Sequence, residues 1–340
     1  MTDASTVIGA GTGLPDYDSL LTRTDGPAGT SWGLWGADDE LGTVNLLTPE
    51  RIVAAAALVR TGKRFSLDHA VNAFEPFPSG TRHAAEHHMF ANNPWHRDEY
   101  VDSYYPQSSS QIDALRHVGD PAFGFYGGRT REQITDQTTT LGVQNYADAG
   151  LVGRGVLLDV DRHLAAAGRP LGVNDPTAFD AELLDEVAAA QGVEVKAGDL
   201  LLVRTGWAGR YLALTDPERR ELNKGRSTPG LAQKESVVRW LWDHGVALVA
   251  ADNTGVERYP AQDSDFYDPS LPPPERGPNH NGMIHRPLLA RLGMAFGELW
   301  ALDELAADCA ADGVYEFLLV ASPLPFAGAA GSPANATAIK

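Results

Sequence analysis

The stretch KESVVRWLWDHGVALVAADN, residues 234–253, contains both kinds of element that the fold requires. Its first half places apolar residues at helical spacing and ends at Gly245, a residue type that often terminates helices in a left-handed turn. Its second half, VALVAADN (246–253), is a short apolar run of the kind that forms a strand buried on both faces. A helix followed at once by a buried strand is typical of α/β proteins.

The same alternation extends in both directions along the chain. Apolar or alternating runs predict strands at 64–71, 155–160, 200–207 and 314–324, and periodic runs predict helices at 180–190, 285–292 and 303–313. Residues 73–104 carry three prolines and four histidines, and we predict a polar loop there. His83 and His87 are four apart and could share a helical metal site, although a polar loop is the simpler interpretation. We therefore predict an α/β fold whose sheet is covered on at least one face.

The length and composition favour one large domain. The chain has 340 residues, of which 43% are hydrophobic and 21% are charged, an ordinary globular balance. We expect a single domain over residues 31–322, because no linker or internal repeat divides the chain. Residues 1–30 are rich in Gly, Thr and Asp and predict an N-terminal arm. Residues 323–340 are rich in Pro, Gly and Ala and predict a loose C-terminal tail.

The charge excludes several classes of partner. The 27 basic and 45 acidic residues give a formal net charge of −18, which repels the phosphates of nucleic acids and anionic membrane surfaces. The N-terminus lacks the basic and apolar segments of a secretory signal, and no apolar run reaches the roughly 20 residues that span a bilayer. We expect a cytoplasmic protein whose partner is a small-molecule substrate. The single cysteine, Cys309, lies in a predicted helix and is expected to be a small buried thiol.

The stretch SSSQIDALRH, residues 108–117, concentrates chemically useful side chains. If residues 111–113 are extended, Gln111 and Asp113 point to the same side. If the chain turns helical after Asp113, His117 lies one turn further along the same face. A carboxylate and an imidazole held so close suit either a metal ligand beside an acid/base group or a buried structural pair, and the pattern alone leaves both open.

A second candidate pair flanks the predicted helix at 285–292. His285 precedes this helix and Glu298 follows it. A histidine at a helix N-terminus is favoured in its neutral form, which can bind a metal. His280 is an alternative ligand, but the spacing to Glu298 and the Leu-Leu pair that follows favour His285. In isolation this pair is a weak signal.

Several segments, in this order and at these separations, resemble the cyclase family that includes bacterial kynurenine formamidase, isatin hydrolase and metal-dependent dienelactone hydrolase. The resemblance covers nearly the whole chain and is strongest with the longer members. It implies a swivelling β/β/α-type fold, with a mixed sheet and flanking helices. The matching segments are WGADDELGTVNLLTPERI (35–52), SSSQIDALRHVG (108–119), FYGG (125–128), LVGRGVLLDV (151–160), LLLVRTGW (200–207), VALVAADNTGVE (246–257) and HRPLLARLGMAFGELWALDEL (285–305).

The family signature, H-x-G-T-H-x-D-x-x-x-H, falls on residues 107–117. Its Asp corresponds to Asp113 and its last His to His117, whereas Gln107 and Gln111 occupy the positions of the two earlier histidines. This chain therefore departs from the family pattern at two metal ligands. The resemblance implies that half of a two-metal site is kept.

The metal ligands implied by the resemblance are oxygen-rich. A glutamine carbonyl is a poor ligand for Zn²⁺ but suits Mn²⁺, Mg²⁺ or Ca²⁺. We expect one divalent ion, Mn²⁺ in preference to Zn²⁺, and a metal-free site stays an alternative. The expected ligands are Gln111, Asp113, His285 and Glu298.

The resemblance also implies an activity, the hydrolysis of a small amide, formamide, lactone or cyclic imide-like bond. His117 is then the general base and acid beside Asp113. A lyase or cyclase on the same scaffold and a non-catalytic small-molecule-binding protein are the alternatives. Relatives of this kind imply a homodimer or homotetramer. The aromatic residues that we expect to bind a flat substrate are Trp35, Tyr105, Phe125 and Tyr126.

Overall fold

The computed structural model describes residues 13–340, so residues 1–12 of the expected arm lie outside the described part. Nine α-helices occur among residues 13–340: α1 Tyr17–Thr22, α2 Pro49–Ala56, α3 Gln144–Ala149, α4 Val160–Ala166, α5 Ala181–Gln191, α6 Trp207–Leu212, α7 Asp216–Asn223, α8 Glu235–Asp243 and α9 Asp303–Asp312. The same range contains thirteen strands: β1 Arg64–Ser66, β2 Glu86–Asn93, β3 His96–Asp102, β4 Gln111–Asp113, β5 Leu151–Asp159, β6 Ala178–Phe179, β7 Leu200–Arg204, β8 Gly230–Leu231, β9 Leu248–Ala251, β10 Ala295–Glu298, β11 Glu316–Ala321, β12 Gly331–Pro333 and β13 Ala336–Ile339. Short 3₁₀ turns cover Gly42–Leu46, Tyr126–Gly128 and Arg131–Gln133, and a π-helical turn covers Arg286–Arg291.

Nine of these strands form one mixed sheet in the order β1-β13-β11-β5-β7-β9-β10-β4-β12. The central strands β5, β7, β9 and β10 run parallel, and the neighbours on both sides pair antiparallel to them. Every residue of β9 and β10 is buried, as expected for strands with both faces covered. Helices α2 and α5 pack against β5, and α5 also packs against α4 and α8. The α/β prediction of a mixed sheet with flanking helices is confirmed.

The sheet topology determines where functional side chains can meet. The carboxyl ends of β5, β7, β9 and β10 lie along one edge, because the four strands are parallel, and sites collect at such edges. Strand β4 runs antiparallel beside β10 and places Gln111 opposite Glu298. The sequence around residue 111 therefore meets the end of β10 in the folded chain.

The prediction of a loose C-terminal tail is wrong. Strand β12 pairs with β4, and β13 lies between β1 and β11 inside the sheet. Lys340 is buried and forms an ion pair with Asp312 at 2.8 Å. Small residues such as Gly and Ala suggest flexibility from composition, but they still supply the backbone groups that strand pairing needs.

The polar loop predicted over residues 73–104 is also corrected. Strands β2 and β3 form an antiparallel hairpin there, and all seven residues of β3 are exposed. With both faces in water, the hairpin shows none of the apolar alternation that marks a half-buried strand. His87 pairs across it with Glu99 at 2.8 Å, so a helical site shared with His83 does not form.

The described part of the arm, residues 13–30, packs on the body of the protein. Tyr17 and Leu20 of α1 are buried, and the Tyr17 backbone N–H donates to Asp243 Oδ1 at 2.7 Å. Cys309 is buried, as expected. Among residues 13–340, no helix combines the length and the apolar character that crossing a lipid bilayer takes. The homo-oligomer implied by the resemblance stays a prediction.

Candidate active site

Two neighbouring strands carry the carboxylates of the site. Gln111 and Asp113 lie on β4 and are fully buried, and Glu298 ends β10. Gln111 is directly opposite Glu298, and Asp113 is opposite Phe296. Residues that face each other across an antiparallel pair project to the same side of the sheet, so Asp113 and Glu298 share one face. The expectation that residues 111–113 are extended is confirmed.

His285 is held beside them by a carboxylate that the sequence did not reveal. The His285 ring contacts Glu257 through Nδ1, which lies 2.6 Å from Oε1. Glu257 also accepts the backbone N–H groups of Ile284 and His285 at 2.8 and 3.1 Å, and the Gln233 side chain at 3.0 Å. This contact keeps a proton on Nδ1 and orients Nε2 toward Glu298, whose Oε1 is 3.1 Å away.

Asp113, His285 and Glu298 converge, as the resemblance implied. One ligand atom from each lies within 4.8 Å of the others, and all three residues are buried. Asp113 Oδ2 is buried without a hydrogen-bond partner in the described chain, an arrangement that costs about 1–3 kcal/mol unless a ligand satisfies it. Two carboxylates and an oriented imidazole fit a divalent cation of the Mn²⁺ or Zn²⁺ type. The metal itself stays a prediction.

The pKa shifts of Asp113 and His285 indicate that the site favours positive charge. Burial and then the charge of Glu298 raise the pKa of Asp113 to about 7. Burial alone would lower the pKa of His285, but its hydrogen bonds to Glu257 and Glu298 outweigh burial and raise this pKa to about 10. A charged imidazole thus compensates the carboxylates, a role that a bound cation would also serve.

Gln111, which we predicted as a metal ligand, is hydrogen-bonded to two protein groups in this structure. Its side-chain nitrogen donates to Glu298 Oε2 at 2.5 Å, and its carbonyl oxygen accepts a hydrogen bond from Arg82 Nη1 at 3.2 Å. In this arrangement the amide oxygen faces the guanidinium and the amide nitrogen orients the Glu298 carboxylate. Metal binding by Gln111 stays a prediction.

Gln107, which occupies the other changed signature position, orients two functional groups. Its side-chain nitrogen donates to Asp113 Oδ1 and lies 3.3 Å from His117 Nδ1. The chain forms a turn after Asp113 rather than a helix, and His117 still approaches Asp113, with 3.9 Å between Nε2 and Oδ2. Burial, followed by the charge of Arg82, lowers the pKa of His117 to about 3, so its imidazole is neutral near pH 7.

A cavity of about 100 Å³ opens onto these groups. Its polar wall contains His117, His280, His285 and Glu298 on one part and Arg82 and Arg226 on another, with Phe77, Tyr259 and Met283 as apolar neighbours. The His280 ring is 5.3 Å from the His285 ring and 6.2 Å from the His117 ring, between centroids. His280 therefore lines the cavity, whereas His285 belongs to the convergent triad.

The four aromatic residues that we predicted as substrate contacts lie outside this cavity wall: Trp35, Tyr105, Phe125 and Tyr126. Trp35 packs edge-on against Trp242 at 6.3 Å, and the buried Tyr126 donates its hydroxyl to Asp39 at 2.8 Å. Phe125 packs against the core, and Tyr105 lines a different surface pocket. Phe125 and Tyr126 follow the motif closely in sequence, but their side chains pack away from the cavity.

Comparison with known proteins identifies the family. The family model described as putative cyclase matches residues 65–258, more than half of the chain. A solved structure described as a novel cyclase is 33% identical, with a TM-score of 0.75, covering 92% of this chain and 99% of that one. An isatin hydrolase bound to the product analogue thioisatinate has the same fold at 17% identity and a TM-score of 0.54, covering 86% of this chain and 98% of that one. The curated proteins gave no match. By its family match and its 33% identical relative, the chain belongs to the cyclase family.

Proposed function

We propose that the protein is a metal-dependent hydrolase that opens or cleaves a small amide, formamide, lactone or cyclic imide-like bond. The observation that carries the proposal is the convergence of Asp113 with His285 and Glu298, two residues that line a cavity whose wall also contains His117. A neutral imidazole beside a potential cation site is the arrangement that activation of water requires. The isatin hydrolase among the structural neighbours supports this class of reaction.

Asp113, His285 and Glu298 would hold one divalent ion, with Mn²⁺ favoured by the two carboxylates. When bound, the ion would supply a Lewis acid for a carbonyl oxygen and would lower the pKa of water. Glu257 fixes the His285 tautomer, and the two glutamines orient the carboxylates. The ligands are thus positioned before any cation arrives.

His117 would carry the proton between water and the leaving nitrogen or oxygen. The Gln107 side-chain nitrogen, which donates to Asp113, also lies 3.3 Å from Nδ1, so Nδ1 is the acceptor atom of the neutral ring and Nε2 carries its proton. The proton from water would therefore arrive at Nδ1. The Asp113 carboxylate, with Oδ2 3.9 Å from Nε2, would stabilise the resulting imidazolium. The proton would then return to the leaving group.

Two measurements test this proposal. Metal analysis of protein purified without chelator should find one divalent ion per chain, and EDTA should abolish turnover. A panel of N-formylkynurenine, isatin, small lactones and carbamates should give hydrolysis of at least one member. If no metal is bound and turnover resists EDTA, the activity does not depend on a metal. If a metal is bound but no member of the panel is hydrolysed, the lyase or the binding protein is favoured.

The His117→Ala substitution tests the proton carrier. We expect kcat to fall ~10²–10⁴-fold, because the positioned base is lost while the cation ligands stay in place. The control is His96→Ala, at an exposed position of the β2–β3 hairpin, which should leave kcat unchanged. Turnover of His117→Ala close to that of the unmodified protein would show that another group carries the proton.

A further inference from the structure

Two guanidinium groups on the cavity wall have so far been given no function. Arg82 is held by other residues of the protein. Its Nη1 donates to the Gln107 carbonyl and to Gln111 Oε1, and its guanidinium lies 4.9 Å from the centre of the Phe77 ring. Arg226 has one anchoring hydrogen bond, from Nη1 to the Pro78 carbonyl at 2.6 Å. Its buried Nε has no acceptor among residues 13–340.

The Arg226 guanidinium is nevertheless held in place. Its face stacks on the Tyr259 ring at 4.6 Å, and both residues line the cavity. The backbones of Thr228 and Tyr259 exchange hydrogen bonds of 2.8 and 3.0 Å, which fixes the two segments to each other. With Nη1 anchored, one face stacked and Nε enclosed by protein atoms, the Nη2 end of the guanidinium is the edge left for a ligand.

That edge matches one chemical group in particular. Parallel N–H donors of a guanidinium bind the two oxygens of a carboxylate, and such charge-assisted pairs are among the strongest hydrogen bonds in proteins. A donor that stays unsatisfied at a cavity wall is costly, so a fixed guanidinium whose Nη2 has no acceptor among residues 13–340 indicates a ligand. The protein as a whole carries a net charge of −18. Two positively charged guanidiniums on one wall of its cavity therefore stand out from the rest of the chain and suit an anionic ligand.

We propose that the cavity takes a substrate that carries a carboxylate, and that Arg226 binds this carboxylate through the Nη2 end of its guanidinium. The inference rests on the proposed function, because it places the reacting bond of the same molecule near His285 and Glu298 on the other part of the wall. Arg226 would thus determine specificity, selecting acids over their neutral analogues and orienting the scissile bond.

Binding of benzoate and benzamide to the metal-loaded protein tests this without turnover. By calorimetry, benzoate should bind about 10- to 100-fold more tightly than benzamide, the range expected for a hydrogen-bonded ion pair. Arg226→Gln should remove this preference, and Arg226→Lys should keep only part of it, since an ammonium lacks the paired donors. The matched control is Arg219→Gln. Arg219 also stacks on a tyrosine, Tyr211, and bonds loop carbonyls, but it does not line the cavity.

Unchanged benzamide binding in Arg226→Gln would show that the cavity is intact in that variant. Equal affinity of benzoate and benzamide for the unmodified protein, or benzoate affinity that survives Arg226→Gln, would overturn the proposal. The second outcome is also what direct binding of benzoate to the cation would give.

A matched pair of formamides separates this inference from the proposed hydrolysis. With 3-formamidobenzoate and 3-formamidobenzamide, the acid should have a KM about 10- to 100-fold lower, and Arg226→Gln should raise the KM for the acid alone. Hydrolysis of both with equal KM would refute the carboxylate site and leave the hydrolase intact. If neither is hydrolysed while benzoate binding depends on Arg226, the carboxylate site is supported and the hydrolase proposal fails for this class.

Discussion

Glu257 acts on the site through His285, and its effect should be measurable as metal affinity. It accepts the Nδ1 hydrogen and the backbone N–H of His285, so the carboxylate both orients the ring and increases its basicity. We predict that Glu257→Gln weakens Mn²⁺ binding about 10- to 100-fold, the usual effect of losing such a partner. Titration of Mn²⁺ into chelator-stripped protein gives the affinity. Glu235→Gln on α8 is the control, and an unaltered dissociation constant in Glu257→Gln would contradict the role.

Asp252, which follows β9, should make stability depend on pH. Its Oδ1 accepts two hydrogen bonds from Thr205, while its Oδ2 is buried without a partner in the described residues. Burial raises the pKa of Asp252 to about 6 from 3.8, although the charge of Arg204 opposes the rise. The folded protein therefore binds this proton more tightly than the unfolded chain, and the free energy of unfolding falls as pH rises from 3.8 to about 6.

Asp252→Asn removes this titration. Relative to the unmodified protein, the variant should gain roughly 2 kcal/mol in the free energy of unfolding between pH 4 and pH 7. Urea denaturation at several pH values measures the difference, with Asp136→Asn at an exposed position as the control. A difference between Asp252→Asn and the unmodified protein that stays constant with pH would show that burial does not raise this pKa.

The sequence predicted which site residues lie together where both the residue type and its spacing match a family motif. The signature placed Asp113 beside His117, and the resemblance placed His285 and Glu298 with them. Glu257 and Arg226 were not recognised, because their importance comes from contacts across the fold: Glu257 is 28 residues from His285, and Arg226 stacks on Tyr259. A carboxylate or a guanidinium at such positions is indistinguishable from a surface residue until the chain is folded.

Strand β13 is a structural element of the sheet interior, so its removal should be severe. It pairs with β1 on one side and β11 on the other, and Lys340 accepts the backbone N–H groups of Thr61 and Gly62. We predict that deleting residues 334–340 unfolds the protein or lowers its melting temperature by more than 10 °C. Several unpaired backbone groups at about 1–3 kcal/mol each would consume most of a typical 5–15 kcal/mol stability. Thermal unfolding by circular dichroism is the measurement.

Deletion of the β2–β3 hairpin is the control for the deletion of β13. Its strands pair with each other and are almost entirely exposed, so replacing residues 87–101 with a short Gly-Ser connection removes little buried surface. That variant should melt within a few degrees of the unmodified protein. A truncation at residue 334 that is tolerated as well as the hairpin deletion would mean that β13 contributes little to the sheet.

The elements differ in how well sequence predicts them, for a physical reason. β7 and β9 are buried on both faces, and their continuous apolar runs predict them. β3 and β13 carry no such signal, since one is wholly exposed and the other is only four residues long, three of them Ala or Thr. Strand β10, AFGE, was missed between two helices because four residues are too few for a periodic pattern.

At the scale of the whole molecule, the site exists because parallel and antiparallel strands meet. β9 and β10 run parallel and end at the same edge, which brings Glu298 to the sheet's carboxyl end. β4 enters antiparallel and delivers Asp113 from a segment almost 190 residues away in the chain. The π-helical turn Arg286–Arg291 then starts directly after His285. Metal binding should therefore couple three distant segments and stabilise the entire fold.

This coupling can be measured as a change in melting temperature. A ligand that binds only the folded chain adds about 2.7 kcal/mol to the free energy of unfolding at a hundredfold excess over its dissociation constant. We predict that Mn²⁺ raises the melting temperature of chelator-stripped protein by several degrees, and that Asp113→Asn abolishes the rise. The control is Asp199→Asn, because Asp199 is also buried but pairs with Arg154 instead of lining the site. If Mn²⁺, Zn²⁺ and EDTA all leave the melting temperature unchanged, the buried imidazolium of His285 compensates the two carboxylates without a bound cation, and the metal-free alternative is correct.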